Sequence, residues 1–169
     1  MALFEPLFQA LNDTGVRYVV VGGVATVLHG YARLTADVDL VIDLAPDEAR
    51  KFMLALVRLG FLPRAPVDPL SFADPEIRAG WIRDKGLQVF SMVDPADPMR
   101  VVDVFVDHPT DFDQLWVRAK SVMLGTTTVR IAAIHDLITL KRLAGRPQDL
   151  VDIEQLERIE RRVGHDDPE

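Results

Sequence analysis

The sequence predicts an α+β chain: a mixed β-sheet flanked by helices, followed by a helical C-terminus. Three observations predict it. Dense apolar, β-branched runs, VRYVVVG, DVDLVID and RVVDVFVD, read as buried strands. Helix-patterned segments alternate with the first strands, which favours a sheet with helices packed against it. Beyond residue 132, AIHDLITLKRLAGR and PQDLVDIEQLERIERR carry helical spacing and are separated by Gly145 and Pro147. No internal repeat or low-complexity linker interrupts the chain. One domain over residues 1–169 is therefore expected, with a sheet-containing core at 1–132 and C-terminal helices at 133–163.

The elements follow in order. Apolar spacing over residues 3–11 predicts a first helix, ended by NDTG. The strand VRYVVVG runs into two glycines, and GVATVLHGY then fits a short helix. DVDLVID is the second strand. APDEARKFMLALVRLG is the strongest helix, with Pro46 in the first turn, Asp47 and Glu48 behind it and Gly60 as terminator. Residues 61–75 are rich in proline and read as an irregular cover. PEIRAGWIRDKG predicts a short helix. LQVFSMVD and RVVDVFVD read as a hairpin joined by PADP. TDFDQLWVRAK is a helix with Thr110 as its expected cap. SVMLGTTTVRIA suggests two short strands around Gly125, and GHDDPE a frayed tail.

Composition narrows the function classes. The chain has 169 residues, 49% of them hydrophobic and 27% charged, with a formal net charge of −7, which is ordinary for a globular protein. The acidic balance argues against broad, sequence-independent nucleic-acid binding. No apolar run approaches the ~20 residues of a membrane span, and the N-terminus lacks the basic and apolar regions of a signal peptide. Cysteine is absent, which removes disulfides and thiolate metal sites and fits a cytoplasmic location.

The informative stretch is YVVVGGVATVLHGYARLTADVDLVID, residues 18–43. Gly22 and Gly23 stand at a strand-to-helix junction, where glycine permits a sharp turn and close approach of a ligand. The free N–H groups of the following helix favour an anion there; a tight turn without ligand explains the glycines equally well. A dinucleotide fingerprint fails because Val24 stands where a glycine is required, and no Gly-Lys-Ser/Thr follows for a phosphate loop. Asp37 and Asp39 share one strand face, about 7 Å apart, and repel each other unless something positive lies between them. Asp103 is centred in RVVDVFVD, on the face opposite Val102, Val104 and Val106. If the two strands are neighbours, the three acids converge and can hold one or two Mg²⁺ ions, which suits phosphoryl or nucleotidyl transfer. Solvent-facing acids on a half-exposed sheet are the bland alternative for Asp37 and Asp39 alone.

These residues resemble the signature of the polymerase-β-like nucleotidyltransferase superfamily: strand, Gly-Gly or Gly-Ser, short helix, Asp-apolar-Asp-apolar, and a later strand acid. DLITLKRLAGRPQDLVDIEQL is similar to the K-x₄-R…D-x-x-D segment of type IV toxin (AbiEii-like) nucleotidyltransferases and their uncharacterised relatives. The resemblance implies a nucleotidyltransferase fold, with Asp37, Asp39 and Asp103 as metal ligands and Asp103 helping to activate an acceptor hydroxyl. It implies that Gly22 and Gly23 cradle the triphosphate and that Lys141 neutralises phosphate charge, with Arg142 and Arg146 as helpers. Asp149 and Asp152, one helical turn apart, are expected to position Lys141 or Arg146. Arg33 and Thr35 precede the acids; Arg33 reaches phosphate or an acid, or is a surface loop residue, and Thr35 braces the turn. Gly23 departs from the serine common in the superfamily, and the chain is short beside full AbiEii-like toxins.

The expected activity is thus transfer of NMP from an NTP to an acceptor hydroxyl, with Mg²⁺ as cofactor and a toxin–antitoxin or phage-defence setting. The acceptor is open: an RNA end, a protein or a small molecule. An antitoxin is a candidate partner. Two alternatives stand: a non-catalytic nucleotide-binding or antitoxin-like module of the same fold, and an antibiotic-type small-molecule nucleotidyltransferase. None of the histidines has metal-ligand spacing. Trp116 is expected in the core, and Trp81 is a candidate face for a nucleotide or partner.

Overall fold

The computed structural model describes residues 2–163. The predicted tail lies outside them, as does His165. Among the described residues a seven-stranded mixed sheet runs in the order Leu62–Pro63, Val89–Asp94, Asp97–Phe105, Asp37–Ile42, Tyr18–Val21, Thr127–Ile131, Lys120–Leu124. The chain builds it as α1 (Glu5–Thr14), β1 (Tyr18–Val21), α2 (Gly22–Leu28), β2 (Asp37–Ile42) and α3 (Pro46–Arg58). Then follow β3 (Leu62–Pro63), α4 (Pro75–Lys85), β4 (Val89–Asp94) and β5 (Asp97–Phe105). The rest is α5 (Phe112–Arg118), β6 (Lys120–Leu124), β7 (Thr127–Ile131), α6 (Ile134–Ala144) and α7 (Pro147–Val163). No described helix is long and apolar enough to cross a membrane.

The central strands set the chemistry. β1 is antiparallel to β2, and β2 is parallel to β5. All four residues of β1 are buried, as expected for a central strand covered on both faces. In β2, Val38, Leu40 and Ile42 are wholly buried while Asp37 is exposed and Asp39 half-buried. Period-two alternation thus sends the acids to one face and the apolar set to the other. β5 repeats the pattern: Val102 and Val104 are buried and Asp103 is half-buried. On the helical side, α1 packs against α3, α2 against α6, and α6 against α7.

Some elements differ from the sequence expectation for identifiable reasons. Residues 61–75 are not wholly irregular: they hold β3 and a 3₁₀ turn at Pro69–Ala73. Phe61 and Phe72, both fully buried, pin this cover to the core. The cap of α5 is Asp111, whose carboxylate accepts from the Gln114 N–H, rather than Thr110. The first helix starts after a 3₁₀ turn at Ala2–Phe4 and continues through Asn12-Asp13-Thr14, ending only at Gly15, where φ is +69°. Polar residues alone did not stop it; the left-handed glycine did. The predicted hairpin forms between β4 and β5, with a register shift at Val93/Asp94.

Candidate active site

Strand register brings the acids together. β2 and β5 are neighbours, and Asp39 lies directly opposite Asp103, with Asp37 opposite Val101. All three acids line a cleft of about 850 Å³ together with Gly23, Arg33, Thr35, Arg146 and Asp149. Burial, followed by the nearby charges of Asp103 and Asp37, pushes the Asp39 carboxyl up to about 7, against a weaker pull from Arg146 and Lys141. Burial likewise raises Asp103, with Asp37 adding to it; a hydrogen bond from Ser91 and the charge of Arg64 act the other way. Among the described residues, no cationic side chain pairs with Asp37, Asp39 or Asp103 at ion-pair distance.

Ser91 was not singled out in the sequence. Its Oγ donates to Asp103 Oδ1 at 2.5 Å, because β4 places Ser91 opposite Asp103. The available signal was a lone hydroxyl in the apolar strand VFSMVD, but only the hairpin register reveals its partner.

The glycine junction is shaped around the acids. Gly22 has φ +64°, a conformation that L side chains rarely adopt. A Cβ at Gly22 would lie 2.7 Å from Asp39 Cγ and overlap the carboxylate. Glycine is therefore required both by the turn and by the acid packed against it. At Gly23, a Cβ would lie 2.6 Å from Arg33 Nη2 and 2.6 Å from Thr35 Oγ1. Serine at Gly23 would displace both side chains, so the departure from Gly-Ser has a local physical reason. The α2 N-terminus has no side-chain cap, leaving its first amides without that partner.

The C-terminal segment forms a second charge cluster. Lys141 is 4% exposed; its Nζ donates to Asp152 Oδ2 at 2.6 Å and lies 3.6 Å from Asp149 Oδ1. Arg146 reaches Asp149 through its backbone N–H, at 3.1 Å, and its Nε, at 2.9 Å. Gln148 Nε2 donates to Asp152 Oδ1 at 3.2 Å. Arg33 Nε approaches the same Oδ1 at 3.3 Å, close enough for an ion pair but without hydrogen-bond alignment. Burial works against ionisation of Asp149, but the hydrogen bonds and charge of Arg146, with Lys141, hold its carboxyl below the usual range.

Lys141 thus occupies a buried pair rather than standing free in the cleft, while Arg146 lines the cleft and Arg142 does not. Arg142 is exposed and pairs with Glu157 of α7 at 3.2 Å. Its position follows from helix geometry: the residue after Lys141 in α6 is rotated by about 100° from it. Thr35 stands against Gly23 and donates weakly to the Asp37 carbonyl at 3.5 Å. His29 Nε2 contacts the Ala132 carbonyl at 2.8 Å and His108 Nε2 the Ile42 carbonyl at 2.9 Å, both fold contacts.

The donor set fits a hard divalent cation. It offers carboxylate oxygens only, on adjacent strands, with like charges that a cation would relieve. The described residues do not, however, present three such side chains already gathered at metal-ligand spacing.

Three solved structures share the architecture. A lincosamide antibiotic adenylyltransferase, LnuA, with lincomycin bound, superposes with a TM-score of 0.60 at 15% identity, covering 94% of this chain and 96% of its own. The antibiotic-resistance factor ANT(2'')-Ia gives 0.58 at 11% identity, over 94% of this chain and 85% of that one. An antigenic nucleotidyltransferase-like protein from Paracoccidioides brasiliensis gives 0.55 at 18% identity, over 89% and 71%. No family model matches the sequence, and no curated protein matches it significantly. At these identities the likeness concerns the path of the backbone, and it is extensive: the chain has the nucleotidyltransferase fold.

Proposed function

We propose that the chain is a Mg²⁺-dependent nucleotidyltransferase that transfers NMP from an NTP to an acceptor hydroxyl. The observation that carries this reading is the register of Asp39 against Asp103, with Asp37 on the same face and Gly22 packed against Asp39. Asp37, Asp39 and Asp103 would hold the cation, which would supply charge neutralisation at the phosphates. The α2 amides at Gly22–Gly23 would take phosphate oxygens, and Arg33 beside Gly23 and Arg146 at the cleft would add positive charge. In the transfer, the acceptor oxygen bonds to the α-phosphorus and the bond to the bridging oxygen of the β-phosphate breaks. Pyrophosphate leaves, and the hydroxyl proton passes to the Asp103 carboxylate.

The acceptor separates two readings. A small-molecule acceptor is supported by the extensive overlap with LnuA, a lincosamide antibiotic adenylyltransferase, and with the antibiotic-resistance factor ANT(2'')-Ia. A macromolecular acceptor in a toxin–antitoxin or phage-defence setting is supported by the K-x₄-R…D-x-x-D segment, Lys141 to Asp152.

The test is incubation with each α-labelled NTP and Mg²⁺, first alone and then with total RNA, cell protein or a small-molecule extract. Label should transfer only with Mg²⁺, and Asp39→Asn should abolish transfer while preserving the circular dichroism spectrum. Absence of both NTP binding and transfer at millimolar concentration, with the fold intact, would overturn the proposal. NTP binding without transfer would favour the non-catalytic module.

A further inference from the structure

The cleft has two chemically different ends, and the acids lie between them. Val21, at the end of β1, pairs with Asp39 of the antiparallel β2. The chain therefore leaves β1 towards the Asp37 end of β2, where Gly23 meets Arg33 and Thr35. β5 runs parallel to β2 and carries Phe105 two positions beyond Asp103, in the other direction. Val89 of β4 lies directly opposite Phe105, as Ser91 does opposite Asp103, so Val89 and Phe105 stand on the same face of the sheet as the acids. Leu87 precedes Val89 by two positions. The end of α4 brings Ile82 beside it, since the Gly86 N–H donates to the Ile82 carbonyl at 2.9 Å. These four apolar side chains line the main cleft with Asp37, Asp39 and Asp103.

The walls at this end suit an apolar body. Ile82 is exposed and Leu87, Val89 and Phe105 are half-buried, whereas Phe90, Val102 and Val104, on the other face of the same two strands, belong to the core. Covering the first set with an apolar ligand removes their surface from water. The charges point the same way. Among the described residues that line the cleft, the lysine and arginine side chains are Arg33 and Arg146 alone. Arg33 stands at Gly23, and Arg146 is tied to Asp149 of α7, the helix whose Asp152 Arg33 approaches. Lys85, three positions after Ile82, does not line the cleft, and beyond Phe105 the wall carries the Asp107 carboxylate. An anionic acceptor would meet no counter-charge there, and a nucleic-acid end would lack the phosphate contacts that hold it.

We infer that the Phe105 end of the cleft holds the acceptor, and that the acceptor is a small hydroxyl compound with an apolar body and no anionic group. The inference rests on the nucleotidyltransferase reading, which sets the triphosphate at Gly23 and Arg33. In-line transfer keeps the attacking and leaving oxygens on opposite sides of the phosphorus. With pyrophosphate leaving towards Gly23, the hydroxyl comes from the side of Asp103 and Phe105. Its oxygen bonds to the α-phosphorus, pyrophosphate departs with the bridging oxygen, and the hydroxyl proton passes to Asp103. Phe105, Val89, Leu87 and Ile82 hold the apolar body and so set specificity rather than chemistry.

The test uses 2-phenylethanol, its anionic relative 4-(2-hydroxyethyl)benzoate, and sorbitol, a hydroxyl compound with no apolar body. Each is titrated into methyl-labelled protein without Mg²⁺ or NTP. The Ile82 and Val89 methyl signals are followed, assigned through Ile82→Gln and Val89→Thr. Both should move saturably with 2-phenylethanol, while the methyl of Ile77, exposed on α4 but outside the cleft lining, should stay in place. The benzoate should bind at least about tenfold more weakly, and sorbitol should move neither signal. Ile82→Gln, read at Val89, and Val89→Thr, read at Ile82, should each weaken 2-phenylethanol by about threefold. The titration is then repeated with Mg²⁺ and each α,β-methylene NTP at saturation. Unchanged or tighter binding of the probe supports an acceptor site; its expulsion makes this end the base pocket and overturns the inference. Silent Ile82 and Val89 methyls at about 50 mM probe, or equal or tighter binding of the benzoate, also overturn it. With labelled NTP, 2-phenylethanol should take label in preference to the benzoate, sorbitol and an RNA oligonucleotide, and the reverse preference overturns the inference. If no nucleotide binds or is transferred while the methyl response holds, the enzymatic reading fails and the apolar site stands without it.

Discussion

Two groups of aspartates, one lining the cleft and one reaching it through Asp149, are treated in opposite ways. Asp37, Asp39 and Asp103 sit on adjacent strands with no cationic partner at ion-pair distance among the described residues, and burial with mutual repulsion drives Asp39 up to about 7. Asp149 and Asp152 are buried more deeply, yet Lys141, Arg146, Arg33 and Gln148 supply donors on every side, and Asp149 is held low. A buried carboxylate is costly unless paired. The protein meets that requirement internally in the second group; in the first, the cation proposed above would meet it. The C-terminal motif therefore joins α6 and α7 to the loop carrying Arg33 as a brace, while the strand acids would carry the chemistry proposed above.

The largest expected effects lie at the two poles of this contrast. Asp39→Asn or Asp103→Asn should reduce nucleotidyl transfer on the order of 10³-fold without loss of fold, measured as labelled-product formation beside circular dichroism. Lys141→Met should do the reverse. It leaves Asp149 and Asp152 short of their buried cation and should cost about 3–5 kcal/mol in urea unfolding. Equal stability of Lys141→Met and the parent would remove the brace from the picture.

The pH response sharpens the comparison. Asp39 takes a proton more readily in the folded chain, since about 7 lies above the ordinary 3.8. The folded state then binds more protons between those values, so its stability falls as pH rises from about 4 to 7. Asp39→Asn should remove that penalty and stabilise the metal-free protein at pH 8 by about 2 kcal/mol, with the gain vanishing near pH 4. Mg²⁺ affinity should rise over the same interval, because the cation competes with the proton. Asp149 has the opposite sign: its folded value is depressed, so its contribution is present above the usual carboxylate range and is lost on acidification. Thermal melts of Asp39→Asn and Asp149→Asn across pH would show both slopes.

Smaller effects test the surrounding geometry. Gly22→Ala combines a left-handed φ with overlap on Asp39 and should cost about 1–2 kcal/mol together with transfer activity. Arg142→Ala should change stability by less than about 1 kcal/mol, since its pair with Glu157 is exposed. A large loss of NTP affinity in that variant would return Arg142 to the site.

Much of the site was legible in the sequence because it is built from local patterns. Alternation in DVDLVID and RVVDVFVD showed which face each acid takes, and the Gly-Gly junction marked where the chain turns towards them. Capping at Asp111 and the buried order of residues 61–75 were less legible, because competing polar residues and distant packing decided them.

By itself, then, the sequence determined the elements, the side of the sheet on which the acids stand and the need for glycine at the turn. These depend on periods of 2 and 3.6 residues and on backbone sterics, which act within a few positions. Only the tertiary structure decided that Asp39 faces Asp103, that Ser91 holds Asp103, that Lys141 is consumed by Asp152, and that Arg142 points away. Those outcomes depend on strand register and on pairing between charges up to 119 positions apart, as with Arg33 and Asp152. Electrostatic energy is set by distance and burial, and neither is written in the local pattern of residues.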